Sequence, residues 1–412
     1  VWHNCGLTAL AIALRDDGLV RVALDDPQCG YRTLMAKHVY ADGWWNEGSP
    51  IYHFYPLGAV VMTADAVRCR NIDLYDKQLY NMFASPVRGV YPDLTFPAHN
   101  DGWYGESLIA QAGLFEAAYA RFRDPLFRDV LAQCYRHVER GGGYALLNPE
   151  QIAPASEPLR QGSYRFEDAG FALLRSSAAT VVMKYGPHGG GHGHPDKLSI
   201  SVHDGTKELV SDFGTSAYGA PDYTKWYRKT LAHNTVTVDG QDQREVAGEF
   251  VAFDARPDGG TVSARADEVY PGVEMSRRLT LKGAVLMDRF VCRSQEEHRY
   301  DYVLLFNERP VLSGKSLGGA VFGEEPYARI REVERYAFKK GFTVRTGDAE
   351  VRIGASAPVE VFVGEASGVP PTNPGVKTVS GSEKRPVQPA YPVIVRVTGR
   401  DMTIDAQWKI NQ

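Results

Sequence analysis

Cysteine is sparse in this chain: its 412 residues hold five, at Cys5, Cys29, Cys69, Cys134 and Cys292. The number is odd and no two form a C-x-x-C pair, which argues against a disulfide framework and against a thiolate zinc site. No apolar run nears the roughly 20 residues needed to span a bilayer. A charged segment leading into an apolar stretch is also missing, so no leader peptide is visible, and both a cytoplasmic and a processed, exported location stay open. Neither charge dominates. Forty-six Lys and Arg against fifty Asp and Glu give a net charge of -4, which excludes a global pull toward nucleic acid or an anionic membrane. An anionic ligand must therefore be held by a local site.

Aromatic residues are plentiful, with 22 Tyr and 6 Trp. Their faces stack on sugar rings, although they also fill cores. The chain changes period part-way along. Up to about Pro158 apolar residues recur at helical spacing, as in Leu7, Leu10, Ala11 and Leu14, and again over 30–40, 51–68, 75–84, 105–121 and 125–138. Asp16-Asp17-Gly18, Asp42-Gly43, Ser85-Pro86 and Asn100-Asp101-Gly102 punctuate these stretches. After Pro158 short β-rich runs take over: Ala179–Lys184, Leu198–His203, Asn234–Asp239, Tyr302–Phe306 and Val393–Val397. Helices first and strands afterwards predict an α+β, two-domain protein: a helical domain over 1–155 and an antiparallel β-sandwich over 156–412. Asn148–Gln161, with three prolines, reads as the linker, and Val369–Pro392 as a long surface loop.

The most informative segment is Gly186–Leu198. His188, His192 and His194 fall within seven residues, interleaved with glycine. Asp212 follows in Ser-Asp-Phe-Gly and His233 in Ala-His-Asn-Thr-Val. Imidazoles and a carboxylate with a water are ordinary zinc chemistry, and a glycine-rich loop with exposed histidines is the plain alternative. A phosphate cradle is excluded, because no Gly-Lys-Ser/Thr follows and the context is β rather than strand-to-helix. Gly314-Lys-Ser lacks the upstream glycine spacing and reads as a turn.

Taken in order, Gly191-His-Gly-His-Pro-Asp-Lys-Leu, Asp212-Phe-Gly and Trp226–Gln241 with its His-Asn-Thr-Val-Thr-Val-Asp-Gly resemble the β-domain signature of the heparinase II/III-like lyases, which act on heparin, heparan, alginate and oligoalginate. The resemblance implies one zinc, a structural one, held by His194, Asp212 and His233, with His192 pointing into the active cleft. It extends into the first half, where Trp2-His-Asn-Cys-Gly is similar to the family's Asn/His segment on the inner wall of an (α/α) toroid. Gly43–Tyr55, with Glu47-Gly-Ser-Pro-Ile-Tyr-His, is similar to the segment that supplies a catalytic tyrosine. Tyr52 matches that tyrosine, with Tyr55 one turn on as the alternative. The helical half is too short for a full ring, so the expected toroid is incomplete, or the chain is a fragment lacking upstream helices.

These residue types suit β-elimination from a uronate. The C5 proton is a very weak acid while the adjacent carboxylate is charged, so hydrogen bonds to that carboxylate must stabilise the enolate-like intermediate. His3 and Asn4 are the candidates. A base then takes the C5 proton and an acid protonates the leaving O4, roles that fall to Tyr52 and His192 in either order. A tyrosine base needs a depressed pKa, which cationic neighbours would supply. His99, Asn100 and Trp103, in Phe96–Tyr104, are candidate subsite residues, with an Asx-turn loop as the alternative. Arg228, with Lys229 beside it, suits a uronate carboxylate. Tyr218, Tyr223 and Tyr227 lie where some alginate lyases place a second acid/base tyrosine, and Tyr227 is the one read as a substrate contact.

The expected function is therefore a polysaccharide lyase acting on a uronate polysaccharide or oligosaccharide, alginate or a glycosaminoglycan. A zinc-dependent hydrolase and a non-catalytic carbohydrate-binding protein braced by zinc are the alternatives. The expected partner is the acidic saccharide, with neither nucleic acid nor membrane, and a homodimer is left open.

Overall fold

The structure, a computed structural model, describes residues 1–148, 150–370 and 388–411. Eight α-helices occupy the first part of these residues: α1 Trp2–Leu14, α2 Asp17–Asp25, α3 Tyr31–His38, α4 Pro50–Val67, α5 Lys77–Gly89, α6 Ala112–Phe122, α7 Pro125–Cys134 and α8 Gly143–Leu147. Local chemistry sets their starts. Asp16 caps α2 through bonds from the Gly18 and Leu19 amides (2.8 and 3.0 Å), so the Asp-Asp-Gly break begins a helix as well as ending one. Ser49 caps α4 and Pro50 opens it, a position where no backbone N–H is needed. Asp124 and Pro125 repeat the arrangement at α7. No described helix is long and apolar enough to cross a membrane.

The strands form one antiparallel system, and here the expectation of a β-sandwich is corrected. Seven strands close a ring: Phe171–Arg175, Thr180–Lys184, Ser199–His203, Glu208–Val210, Val285–Phe306, Val273–Lys282 and Gly259–Arg265. The last joins the first through Arg175 opposite Gly259, and the barrel carries extra strands outside. In a sandwich two sheets face each other with no ladder between them. Here the 22-residue strand Val285–Phe306 is long enough to serve two neighbourhoods. Its first half pairs with Val273–Lys282 and its last residue with Val210. Along its outer edge it pairs with Gln388–Ile410 over 285–293 and 298–306, the register shifting between Arg293 and His298. The described helices pack in short hairpins around one apolar core and do not close a ring.

That helical core takes in part of the barrel. Phe171, Leu173 and Val182 belong to it, whereas their neighbours Ala172, Leu174, Val181 and Met183 face the barrel interior. Alternation along a strand thus gives one hairpin two apolar faces, and this hairpin fixes the seam between helices and barrel. Trp44, before α4, sits edge-on to Phe166 and Phe171 across the seam (5.7 and 5.6 Å). Inside the barrel, fully buried Arg277 bonds Asp288 in bidentate fashion (2.9 and 2.6 Å) and donates to the carbonyls of Leu198 and Asn234. Those carbonyls flank the histidine-bearing loops, so this deep ion pair of the barrel also anchors the site. Of the expected loop Val369–Pro392, Val369 and residues 388–392 lie in strands, while 371–387 lies outside the described residues.

Candidate active site

Four stretches meet at the seam: the first turn of α4, the connection 96–107, the loop 186–198 and the segment 211–235. The connection is docked on the barrel by backbone pairing of Ala98 with Phe213 and Trp103 with Gly214. Gly214 has φ +62°, and a Cβ there would lie 2.0 Å from the Gly102 carbonyl, so only glycine allows this approach. Asn100 is bound on all sides. Its amide donates to the Glu47 and Gly48 carbonyls (3.1 Å each), and its oxygen accepts from Lys184 Nζ and the His194 amide. It positions the loops and has no free group for a ligand. His99 is buried edge-on to Phe171, and burial, aided by Lys184, draws its pKa down to about 4.

Asp101 is the centre of the cluster. Its buried carboxylate meets His192 Nδ1 at 2.9 Å, His194 Nε2 at 3.0 Å, the Tyr223 hydroxyl at 3.1 Å and the Tyr218 hydroxyl at 3.4 Å. Burial alone would raise this carboxyl, but the two histidines and the nearby Arg228 outweigh it and hold it at about 2. The Tyr52 ring stacks on His192, centroids 3.7 Å apart, and its hydroxyl is hydrogen-bonded to that of Tyr218. Arg228 donates to the Tyr223 hydroxyl (3.0 Å) and the Gly193 carbonyl (2.9 Å).

Tyr52 and His192 are thus brought together, and Arg228 stands at the edge of the same cluster. Trp103 is half-buried on the docked connection. Tyr227 is buried with its hydroxyl on the Gly368 carbonyl at 2.9 Å, away from the cluster. His3 is exposed on α1 with no side-chain hydrogen bond among the described residues, and the Asn4 amide is engaged by the Cys29 carbonyl. Tyr55 is exposed against Trp2 (5.5 Å), so of the two tyrosines on α4 it is Tyr52 that reaches His192. The charges nearest Tyr52 are negative rather than cationic. Its pKa is raised, first by burial and then by Asp101 and Glu47, against the opposing bond from Tyr218.

Beneath the cluster lies the candidate metal set. Ligand atoms of Asp196, Asp212 and His233 lie within 4.8 Å of one another, all buried. Asp196 is already balanced by Lys184 and Lys197. His233 Nδ1 meets Asp212 at 3.1 Å; burial disfavours the His233 cation, yet Asp212 raises its pKa and is itself drawn down in return. His194 stands beside them, its ring centroid 5.3 Å from that of His233. Two ring nitrogens here, His194 Nδ1 and His233 Nε2, are buried with no hydrogen-bond partner. Such orphans are costly unless something engages them, and two imidazoles with a carboxylate suit zinc. The residues present therefore fit the metal. Asn234 explains the local sequence: its amide donates to the Ile200 and Ser211 carbonyls (2.8 Å each) and its oxygen accepts from the Leu305 amide, tying two strands and the segment after Val210 together below His233.

Asp101 and Asp196 are the residues that sequence reasoning passed over. Both lie in segments it singled out, and their signal was only a carboxylate within two residues of a positioned Asn or His.

Helices seated on an antiparallel barrel, with a Tyr–His–Asp cluster at the seam and an imidazole–carboxylate set beneath, define an α+β protein with a polar site between its two layers. Residues 158–361 form a heparinase II/III-like domain, matching the family model described as "Heparinase II/III-like, C-terminal". It is 28% identical to an alginate lyase of Stenotrophomonas maltophilia, over 76% of this chain and 48% of that protein. It is 27% identical to an exo-oligoalginate lyase of Saccharophagus degradans, over 74% and 48%. It is 26% identical to a heparin-sulfate lyase of Pedobacter heparinus, over 51% and 31%. The chain therefore spans about half the length, or less, of the curated relatives it matches. Among solved structures, a heparan sulfate lyase from Pedobacter heparinus aligns with a TM-score of 0.69 at 15% identity, covering 99% of this chain and 59% of that one. That likeness shows the fold alone.

Proposed function

We propose that this chain is a polysaccharide lyase that cleaves a uronate-containing polysaccharide by β-elimination. The observation that carries the reading is the Tyr52–His192 pair at the seam, with Asp101 on the histidine's far nitrogen. An ionised Asp101 accepts a hydrogen bond from His192 Nδ1–H, which leaves Nε2 with its lone pair as a base. Tyr52, with its pKa raised, keeps its proton and is suited to act as the acid. In the reaction His192 takes the C5 proton, the C4=C5 double bond forms, the C4–O4 bond breaks, and Tyr52 protonates the leaving oxygen. Arg228 is the cation suited to the uronate carboxylate, lowering the cost of charge developing at C5. His194, Asp212 and His233 would hold zinc, which when bound cross-links the loops that carry the histidines. The substrate reading leans to alginate, because likeness to the two alginate-type lyases extends over about three quarters of the chain.

The test is a panel of uronate polymers scored by the ultraviolet absorbance of the unsaturated end and by product mass. A rise with alginate is expected. Binding without any rise across the panel would remove the lyase reading and favour a binding protein.

A further inference from the structure

A second cleft opens at the opposite end of the seam hairpin, between the barrel and the connections 90–94 and 158–161, with a cavity volume of about 500 Å³. The strand Thr180–Lys184 joins the two places. Lys184 holds Asn100 and Asp196 at the catalytic end, while Thr180 lines the cleft, about 13 Å away at ~3.3 Å per residue.

The cleft wall contains an unbalanced cation. Arg175 is only 7% exposed, and its guanidinium donates to the carbonyls of Gly162 (2.8 Å), Arg88 (2.7 Å) and Val90 (3.0 Å). Among the described residues no carboxylate pairs with it, and neutral acceptors leave its charge uncancelled. Burial lowers its pKa to about 10, so it stays charged at neutral pH. Arg160, exposed on the rim, has no ion pair among the described residues either. The carboxylate on this rim, Asp258, is engaged by the Ser177 amide at 2.6 Å. A second signal is independent of charge: Gln161 Oε1 is buried with no donor, while the other end of that amide is engaged by the Val87 carbonyl. Pro92 and Leu159 add apolar surface.

We propose that this cleft is a second saccharide-binding site, which takes a uronate unit of the polymer at a distance from the catalytic cluster. The carboxylate lies against Arg160 and Arg175, a sugar hydroxyl donates to Gln161 Oε1, and the ring rests on Pro92 and Leu159. The volume suits a short oligosaccharide, within the ~300–1,000 Å³ of ordinary ligand sites. The choice of a uronate ligand rests on the lyase reading, whereas the cation and the orphan acceptor do not.

The test is calorimetric titration of the full chain with a saturated uronate disaccharide, alongside a neutral disaccharide of equal size. Two classes of site are expected for the uronate. Arg160→Glu, and separately Ser177→Trp to fill the rim, should weaken one class at least tenfold. Both should raise KM for long polymer several-fold and leave kcat on a short oligosaccharide unchanged. A single class of site in a chain that does cleave uronate polymer would overturn this proposal and leave the lyase reading standing. Equal binding of the neutral sugar at the second class would overturn it as well. Absence of cleavage with two uronate classes retained would sink the lyase reading alone.

Discussion

Asp101 accepts from two imidazoles and two phenols with one buried carboxylate, so its charge sets the tautomer of His192 and the position of Tyr218 together. Asp101→Asn keeps the shape and removes the charge. Its kcat should fall by a factor of ~10² with KM changed little, because the loss is in the proton transfer and not in binding. Tyr52→Phe, which keeps the stacked ring and removes the hydroxyl, should lose a similar factor while the protein stays folded. If that variant were fully active, the acid assigned here would be wrong. The adjacent histidines should separate in a metal assay. Elemental analysis of the wild type should find about one zinc per chain. His194→Ala should lose it, and His192→Ala should keep it while losing turnover. A wild-type protein free of metal, with undiminished stability, would rule out the zinc set. At this scale the sequence was partly legible. His192, His194, Asp212 and His233 stood out by type and spacing, and Tyr52 by its neighbours. Asp101 did not, since Asn-Asp-Gly is also what any tight turn requires, and only the docking of that turn onto Phe213 and Gly214 gives the carboxylate its partners.

Among the elements, the connection 96–107 decides whether the site forms. Gly214→Ala should move it off the barrel, and activity should fall at least tenfold together with a lower Tm; an unchanged Tm would show that the contact yields easily. The same connection buries Glu106, whose carboxylate has no hydrogen-bond partner among the described residues. Burial raises its pKa from 4.5 to about 8. Between those values the folded chain keeps a proton that the unfolded chain releases, so this group's contribution to stability falls as pH rises through that window and levels off above it. Glu106→Gln should therefore gain in Tm relative to wild type between pH 5 and pH 8, and a constant difference between the two would mean that the carboxyl ionises freely. Element types were largely readable from period: the helices over 31–38, 50–67 and 125–134 and the short strands near 180, 200 and 236 follow their patterns. The ring was not readable. It closes through Arg175 with Gly259 and Val210 with Phe306, contacts between distant residues that leave no local trace, and alternation alone describes a sandwich strand and a barrel strand equally well.

For the molecule as a whole, the strand Val285–Phe306 matters most. It is a member of the closed ring and, on its other edge, the partner of Gln388–Ile410 on both sides of the bulge between Arg293 and His298. A ring and an outer sheet that merely touched could melt one after the other. With a shared strand, neither can lose its ladder without exposing the backbone of the other. The β part should therefore behave as one cooperative unit, with a single calorimetric transition across barrel and outer strands. The amide hydrogens of 286–292 and 300–305 should be among the slowest in the chain to exchange with solvent. Because Arg277, inside that unit, carries the carbonyls of Leu198 and Asn234, the loops of the site inherit its rigidity. Motion that admits a polymer must then come from the helical side of the seam, where α4 brings Tyr52 to its partners.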